Sequence, residues 1–166
     1  MKIFKVRTVK TPTRGTDYSA GIDFYVPEFN QQFKSDVRLK NLDAIIDDNN
    51  SIINISPHSR ILIPSGIHVK VPYDYALIAF NKSGVATKKG LDIAASVVDS
   101  DYEGEIHLSL TNTTGDVVTI SENEKIVQFL LIPISMDGII EVNSKEELYP
   151  VKSTRGEGAF GSTNHI

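Results

Sequence analysis

Apolar and polar residues alternate along most of the chain with a period of two. Ile67, Val69 and Val71 fall on one side of an extended segment, and His68 and Lys70 on the other. Successive strand side chains point to opposite faces, so this spacing predicts half-buried strands. The same period runs through Ile3-Phe4-Lys5-Val6-Arg7 and through Ile106-His107-Leu108-Ser109-Leu110-Thr111. Tyr75 to Phe80 and Ile126 to Ile134 are nearly continuous apolar runs, as expected of strands covered on both faces. Ile61-Leu62-Ile63 reaches Ile67 through Pro64-Ser65-Gly66, which reads as a turn. Thr113-Thr114-Gly115-Asp116 reads as a hairpin turn into Val117-Val118-Thr119-Ile120. Helix signals are few. Ser144 and Glu147 have capping-box spacing ahead of Pro150, and Asn41 to Asp48 predicts a second, weak helix. Many short strands with turns between them predict an all-β sandwich or barrel.

Length and composition narrow the class. At 166 residues, about one domain is expected, large enough to bury a core without covalent staples. Cysteine is absent, which excludes disulfides, a thiol nucleophile and cysteine-held metals. With 17 basic and 21 acidic residues the formal charge is −4, which argues against a nucleic-acid binder while leaving room for a small phosphorylated ligand. No apolar run approaches the ~20 residues of a membrane helix, and the N-terminus lacks a signal peptide's apolar stretch. No membrane partner is expected, and the cytoplasm, of a virus-infected host cell or otherwise, is the expected location. Residues from about 29 to 59 are polar and read as an insertion with a loop tip at Asp47-Asp48-Asn49-Asn50-Ser51. The last dozen residues, Arg155 to Ile166, are glycine-rich and cannot build a core of their own. The expected organisation is therefore a β domain over 1–154 followed by an arm over 155–166.

Five segments carry candidate chemistry. Val97-Val98-Asp99-Ser100-Asp101-Tyr102-Glu103-Gly104-Glu105 runs from a strand into an acidic reversal, where Asp99 and Asp101 share a face if the backbone stays extended. Paired carboxylates orient a water or sit near a divalent cation; an acidic hairpin tip with Gly104 in a left-handed conformation reads equally well. Asn81-Lys82-Ser83-Gly84-Val85 offers an anion nest beside a lysine, or simply a polar loop with a capping serine. Gln128 interrupts an apolar strand, either as a satisfied core amide or as one aimed at a ligand. Ala20-Gly21-Ile22-Asp23 places an acid at a strand entry. Phe160, framed by Gly158 and Gly161, suits a disordered tail or a ring that stacks on something flat. His58, His68, His107 and His165 show no metal spacing.

The order of these segments is more specific than any one of them. Ala20-Gly21-Ile22-Asp23, Lys82-Ser83-Gly84, Val97 to Gly104, Lys125-Ile126-Val127-Gln128 and Arg155 to Thr163 resemble the five motifs of the homotrimeric dUTPase (deoxyuridine 5′-triphosphate nucleotidohydrolase) family. The resemblance implies a β jelly roll of β-clip barrel type, a homotrimer whose sites draw on all three chains, and hydrolysis of dUTP to dUMP and pyrophosphate. It implies that Asp99 is the general base and that Tyr102 lies under the deoxyribose, leaving no room for a 2′-hydroxyl. The backbone of the hairpin around Ser96 to Tyr102, Val97 and Val98 included, would read the uracil edge, with Glu105 also among the substrate-binding residues. Lys82, Ser83, Gly84 and Gln128 would contact phosphates. Arg155 and the backbone near Ser162-Thr163 would clamp the γ-phosphate while Phe160 stacks on uracil, with Gly161 also among the substrate-binding residues. Mg²⁺ is the implied cofactor, with Asp23 contacting its water shell.

Several positions depart from the family pattern. Lys82 stands where most members have arginine, and a lysine lacks the bidentate fork. Ser96 replaces a glycine, as do Ala159 and Asn164. The 29–59 region is about twenty residues longer than the usual connection, an added hairpin or a surface for a protein partner. The alternative reading is thus a regulatory protein on the same scaffold; a dCTP deaminase or a structural jelly roll fits the motifs less well.

Overall fold

The computed structural model describes residues 1–41 and 45–159. The chain divides into two compact units, Met1–Ser135 and Met136–Ile166. The composition-based boundary at 154/155 falls inside the second of these.

The first unit contains the strands β1 (Lys2–Lys5), β2 (Thr13–Arg14), β3 (Ile22–Tyr25), β4 (Ile45–Asp47), β5 (Ile52–Ile55), β6 (Arg60–Pro64), β7 (Ile67–Lys70), β8 (Tyr75–Asn81), β9 (Leu91–Ala95), β10 (Val97–Val98), β11 (His107–Asn112), β12 (Val118–Ser121) and β13 (Lys125–Pro133). Among the described residues helix is confined to α1 (Gln31–Lys40) and α2 (Ser83–Lys89), with α3 (Lys145–Leu148) in the second unit. The sheets have strand orders β10-β8-β13-β3-β2, β6-β11-β9, β12-β5-β4 and β1-β7, antiparallel throughout. This is the expected all-β, jelly-roll-like architecture.

The core follows from the period-two pattern. Ile61 and Ile63 of β6 and Leu108 and Leu110 of β11 point inward, as do Ile53 and Ile55 of β5. β13 sits between β8 and β3, and its Phe129 packs on Phe24 with ring centroids 4.5 Å apart. Aromatic burial of this kind is worth about 2–3 kcal/mol per side chain. In β1 and just beyond it the alternation does not translate into burial: Ile3 and Phe4 of the strand and Val6 after it are all exposed.

The insertion is built differently from its sequence reading. The expected helix over Asn41 to Asp48 is displaced toward the N-terminus. Asn30 caps α1 by accepting the Phe33 N–H at 2.9 Å, and Phe33 and Val37, four apart on one face, are fully buried. β4 and β5 then form the added hairpin, with Asp47 folding the tip by accepting from Asn49 and Asn50. Asn41, following α1, pairs with Leu62 of β6 as a strand would, accepting its N–H at 2.7 Å and donating to its carbonyl at 2.9 Å.

The expected hairpin across Thr113–Asp116 does not form. β11 pairs with β6 and β9, whereas β12 pairs with β5, so the turn carries the chain from one sheet to another. Buried Asn112 makes that crossing. Its amide donates to the carbonyls of Ile55, Ser56 and Asp116, and its oxygen accepts from Thr114. A backbone hairpin would have satisfied these groups; one side chain does so here. Asn112→Ala should therefore destabilise the protein by about 2–3 kcal/mol, the cost of leaving buried carbonyls unpaired, read as the shift in urea-unfolding free energy.

Candidate active site

Antiparallel pairing places directly opposite residues on one face of a sheet. Gln128 of β13 lies opposite Asp23 of β3 on one side and Phe80 of β8 on the other. Three of the five segments thereby meet at one end of the large sheet. Gln128 donates from Nε2 to the Asn81 carbonyl at 2.8 Å. Gly21 is required beside it, since a Cβ there would lie 2.0 Å from Gln128 Oε1. Asp23 is only 5% exposed and carries two lysines: Lys82 Nζ in close contact with Oδ1, and Lys125 Nζ 3.0 Å from Oδ2. Burial opposes its ionisation, but the hydrogen bonds from Lys82 and Lys125 outweigh it and hold the carboxyl below its ordinary range. Two ammonium groups against one carboxylate leave this pole cationic. Lys125, the first residue of the Lys125-Ile126-Val127-Gln128 motif, joins Lys82 on Asp23 through the pairing of β13 with β3.

The nest expected at Ser83–Val85 has a different geometry. These residues form the first turn of α2, where Lys82 is the N-cap and its carbonyl accepts the N–H groups of Val85 and Ala86. The Val85 N–H is thus committed within the helix. Ser83 and Gly84 are exposed.

A second site forms at the other edge of the same sheet. Val97 and Val98 pair with Ile78 and Leu77 of β8, and the Ser96 carbonyl accepts the Ala79 N–H. No ladder joins β10 to β11 among the described residues, so Val97 to Ile106 is not the expected hairpin. A cavity of about 180 Å³ lies there instead, lined by Ser96, Val97, Val98, Asp99, Tyr102 and His107 among others. Asp99 is exposed. His107 is half-buried, and burial pulls its pKa down. A carbonyl only accepts, so His107 Nδ1 donates to the Glu105 carbonyl (2.9 Å); its buried Nε2 has no protein partner.

The reversal is held from beneath by β7 and the N-terminal segment. His68 Nδ1 meets the Glu103 carbonyl at 2.7 Å, Lys70 the Ser100 carbonyl at 3.3 Å, and Gly66 donates to the Glu105 carboxylate at 2.7 Å. Gly104 is not left-handed. It is needed because a Cβ there would lie 2.4 Å from Tyr102 Oη, which donates to the Glu105 carbonyl. Glu105 itself does not line the cavity; its carboxylate takes both Arg7 Nε (2.7 Å) and Nη2 (3.0 Å). None of these roles of Arg7, His68 or Lys70 is signalled by a motif, because His68 and Lys70 come from β7 and Arg7 from the segment after β1, both distant in sequence from the turn.

Arg155, in the second unit, closes a local turn, its Nε donating to the Gly158 carbonyl at 2.7 Å. Phe160, Gly161 and Ser162 lie outside the described residues. Among the described residues no group of three or more His, Asp or Glu side chains is placed to hold a metal, and no helix is long and apolar enough to cross a membrane.

A jelly-roll-like chain with a cationic pole at one end of its main sheet and a cavity under an acidic turn at the other edge defines the class. The dUTPase family model matches residues 48–164, and the chain belongs to that family. It is 31% identical to the deoxyuridine 5′-triphosphate nucleotidohydrolase of Wolbachia pipientis subsp. Culex pipiens (strain wPip), with 98% of this chain and 92% of that protein covered. The Fusobacterium nucleatum protein of the same name is 32% identical, covering 98% and 95%. The fold is similar to that of the Staphylococcus bacteriophage 80alpha dUTPase with dUPNHPP, at a TM-score of 0.76, 18% identity and coverages of 98% and 96%.

Glu105 gives the site a pH signature. Burial disfavours its charged form, but Arg7 and the Gly66 N–H overcome this and lower its pKa. A carboxyl depressed in the folded state stabilises above its unfolded pKa, about 4.3, and loses that stability as pH falls through the folded value. Glu105→Gln should melt below wild type at pH 7, and the gap should close on acidification below pH ~4, as followed by thermal melts across pH.

Proposed function

We propose that the chain hydrolyses dUTP to dUMP and pyrophosphate, in sites shared between the subunits of a homotrimer. One separation carries this reading. Val98 faces Leu77 of β8, while Lys82 follows the opposite end of that strand. At about 3.3 Å per residue, Leu77 and Lys82 are ~17 Å apart, and Asp99 extends the distance to ~20 Å. The α- and γ-phosphorus atoms of a triphosphate are only a few covalent bonds apart. The wide spacing of Asp99 from its own protomer's Lys82 supports a site in which the turn of one subunit meets the pole of a neighbour.

In such a site the gap between β10 and β11 takes the base. The unpaired strand edge at Ser96–Val98 reads uracil much as a third strand would. A base lacking the matching donors leaves buried polar groups unpaired, which supports discrimination of ~10⁴. Tyr102, fixed through Glu105, underlies the deoxyribose. The Asp99 carboxylate orients a water and takes its proton as the oxygen attacks the α-phosphorus. The bond to the bridging oxygen breaks, and pyrophosphate leaves with both electrons. Lys82, Lys125 and Gln128 stabilise charge on the phosphates, with Lys82 exchanging the Asp23 carboxylate for a phosphate oxygen. Motif five adds Arg155 on the γ-phosphate, and Phe160, Gly161 and Ser162 at the base and phosphates.

Magnesium fits this donor set only when carried by the substrate. Mg²⁺ keeps several waters and needs one or two carboxylates beside phosphate oxygens, not an all-protein cage. Asp23 is the carboxylate at the pole and would contact that water shell. The ion would supply charge neutralisation on the triphosphate.

Asp99→Asn should keep dUTP binding while lowering pyrophosphate release by ~10²–10⁴-fold, the usual worth of a general base; unchanged turnover removes Asp99 from that role. Mixed oligomers test the shared site. Asp99→Asn and Gln128→Ala chains, each inactive alone, should recover activity when co-expressed and purified as heterotrimers. A site confined to one protomer recovers none.

A further inference from the structure

We propose that the insertion helix α1 positions the substrate-facing turn through an ion-pair relay, Asp36–Arg7–Glu105, which makes Arg7 and Asp36 positioning residues for the reaction. The relay begins outside the matched family span of 48–164, on a helix that supplies no group to the cavity. Asp36 Oδ2 lies 2.6 Å from Arg7 Nη2, and the same guanidinium grips both oxygens of Glu105. The three side chains are only 21%, 12% and 15% exposed, so solvent screens them weakly. Arginine suits the middle position because its planar fork serves two carboxylates at once, which a lysine's point charge does not.

Glu105 is where the relay reaches the site. Its carboxylate is fixed by Arg7 and the Gly66 N–H. Its carbonyl receives Tyr102 Oη and His107 Nδ1, and both of those rings line the cavity. A shift of the Glu105 side chain therefore shifts the two rings that shape the cavity floor. The helix is a firm base for this, with Phe33 and Val37 buried beneath it and Asn41 paired to Leu62, itself a cavity-lining residue. Two attachments, Asn41–Leu62 and Asp36–Arg7, thus run from the insertion to the same cavity.

The proposal rests on the assignment of Tyr102 to the deoxyribose, so its test has two arms. Full-length wild type, Asp36→Ala, Asp36→Glu and Arg7→Met are compared with dUTP and UTP, at a temperature well below each measured Tm. Misplacement of a positioning shell by about 1 Å costs up to ~10²-fold; the expected fall in kcat/KM is about 3–10-fold for Asp36→Ala and about 10–100-fold for Arg7→Met. The preference for dUTP over UTP should fall in the same order, and Asp36→Glu should restore both. Variants with lowered Tm but wild-type kcat, KM and dUTP preference would show a purely structural ion pair and overturn the relay. The second arm is hydrogen exchange at residues 99–106, which should quicken in Asp36→Ala, the variant least exposed to misfolding. Unchanged exchange overturns the relay whatever the kinetics. Wild type inert toward dUTP, with exchange quickened as expected, overturns the functional reading and leaves the relay standing.

Discussion

The polar cluster of Asp23, Lys82, Lys125 and Gln128 depends on β13 lying between β3 and β8. Asp23 and Lys82 are 59 positions apart in sequence and are brought into contact only because both flank one strand. The same strand turns its other face to the core, where Phe129 meets Phe24. One register therefore sets both the burial that holds the sheet and the row of Asp23, Gln128 and Phe80. A slip of one residue would exchange the two faces, sending Gln128 into the core and Phe129 to the surface. The functional row is thus fixed by the hydrophobic energy of its apolar neighbours.

The acidic turn has a different logic. It has no ladder partner on its cavity side among the described residues, so its shape comes from groups on other elements: the side chains of His68, Lys70 and Arg7 and the Gly66 N–H. These contacts leave Asp99 out of the supporting network and in the open, with Tyr102 tethered beside it. A rigid support under an exposed carboxylate suits a reaction in which positioning supplies much of the rate.

Much of this was legible in the chain. The period-two pattern identifies β6, β7, β11 and β13, because each buries one face or both, and the motif order points to Asp23, Lys82, Asp99, Tyr102 and Gln128. What was hidden has physical reasons. The Thr113–Asp116 segment carries ordinary hairpin chemistry, yet Asn112 satisfies the crossing and lets β11 and β12 join different sheets. Helix α1 was missed because only Phe33 and Val37 mark its buried face, while its cap, Asn30, sits in a polar run that reads as loop. Gly104 looked like a left-handed turn residue; what demands a glycine there is the Tyr102 ring above it. Arg7 is a single charge with no local pattern, and Lys125, though it opens a motif, has no role assigned by it; both roles appear only once the fold brings a distant carboxylate to them.

The span of β8 between its two functional ends has one more consequence. If the site is shared between subunits as proposed, each protomer brings the base-reading turn at one end of the sheet and the cationic pole at the other, and completes no site alone. Specific activity would then follow subunit concentration, falling on dilution below the assembly constant even while every chain stays folded. Nucleotide, by bridging two chains, would in turn favour assembly, so that substrate supply itself tunes how much working enzyme exists.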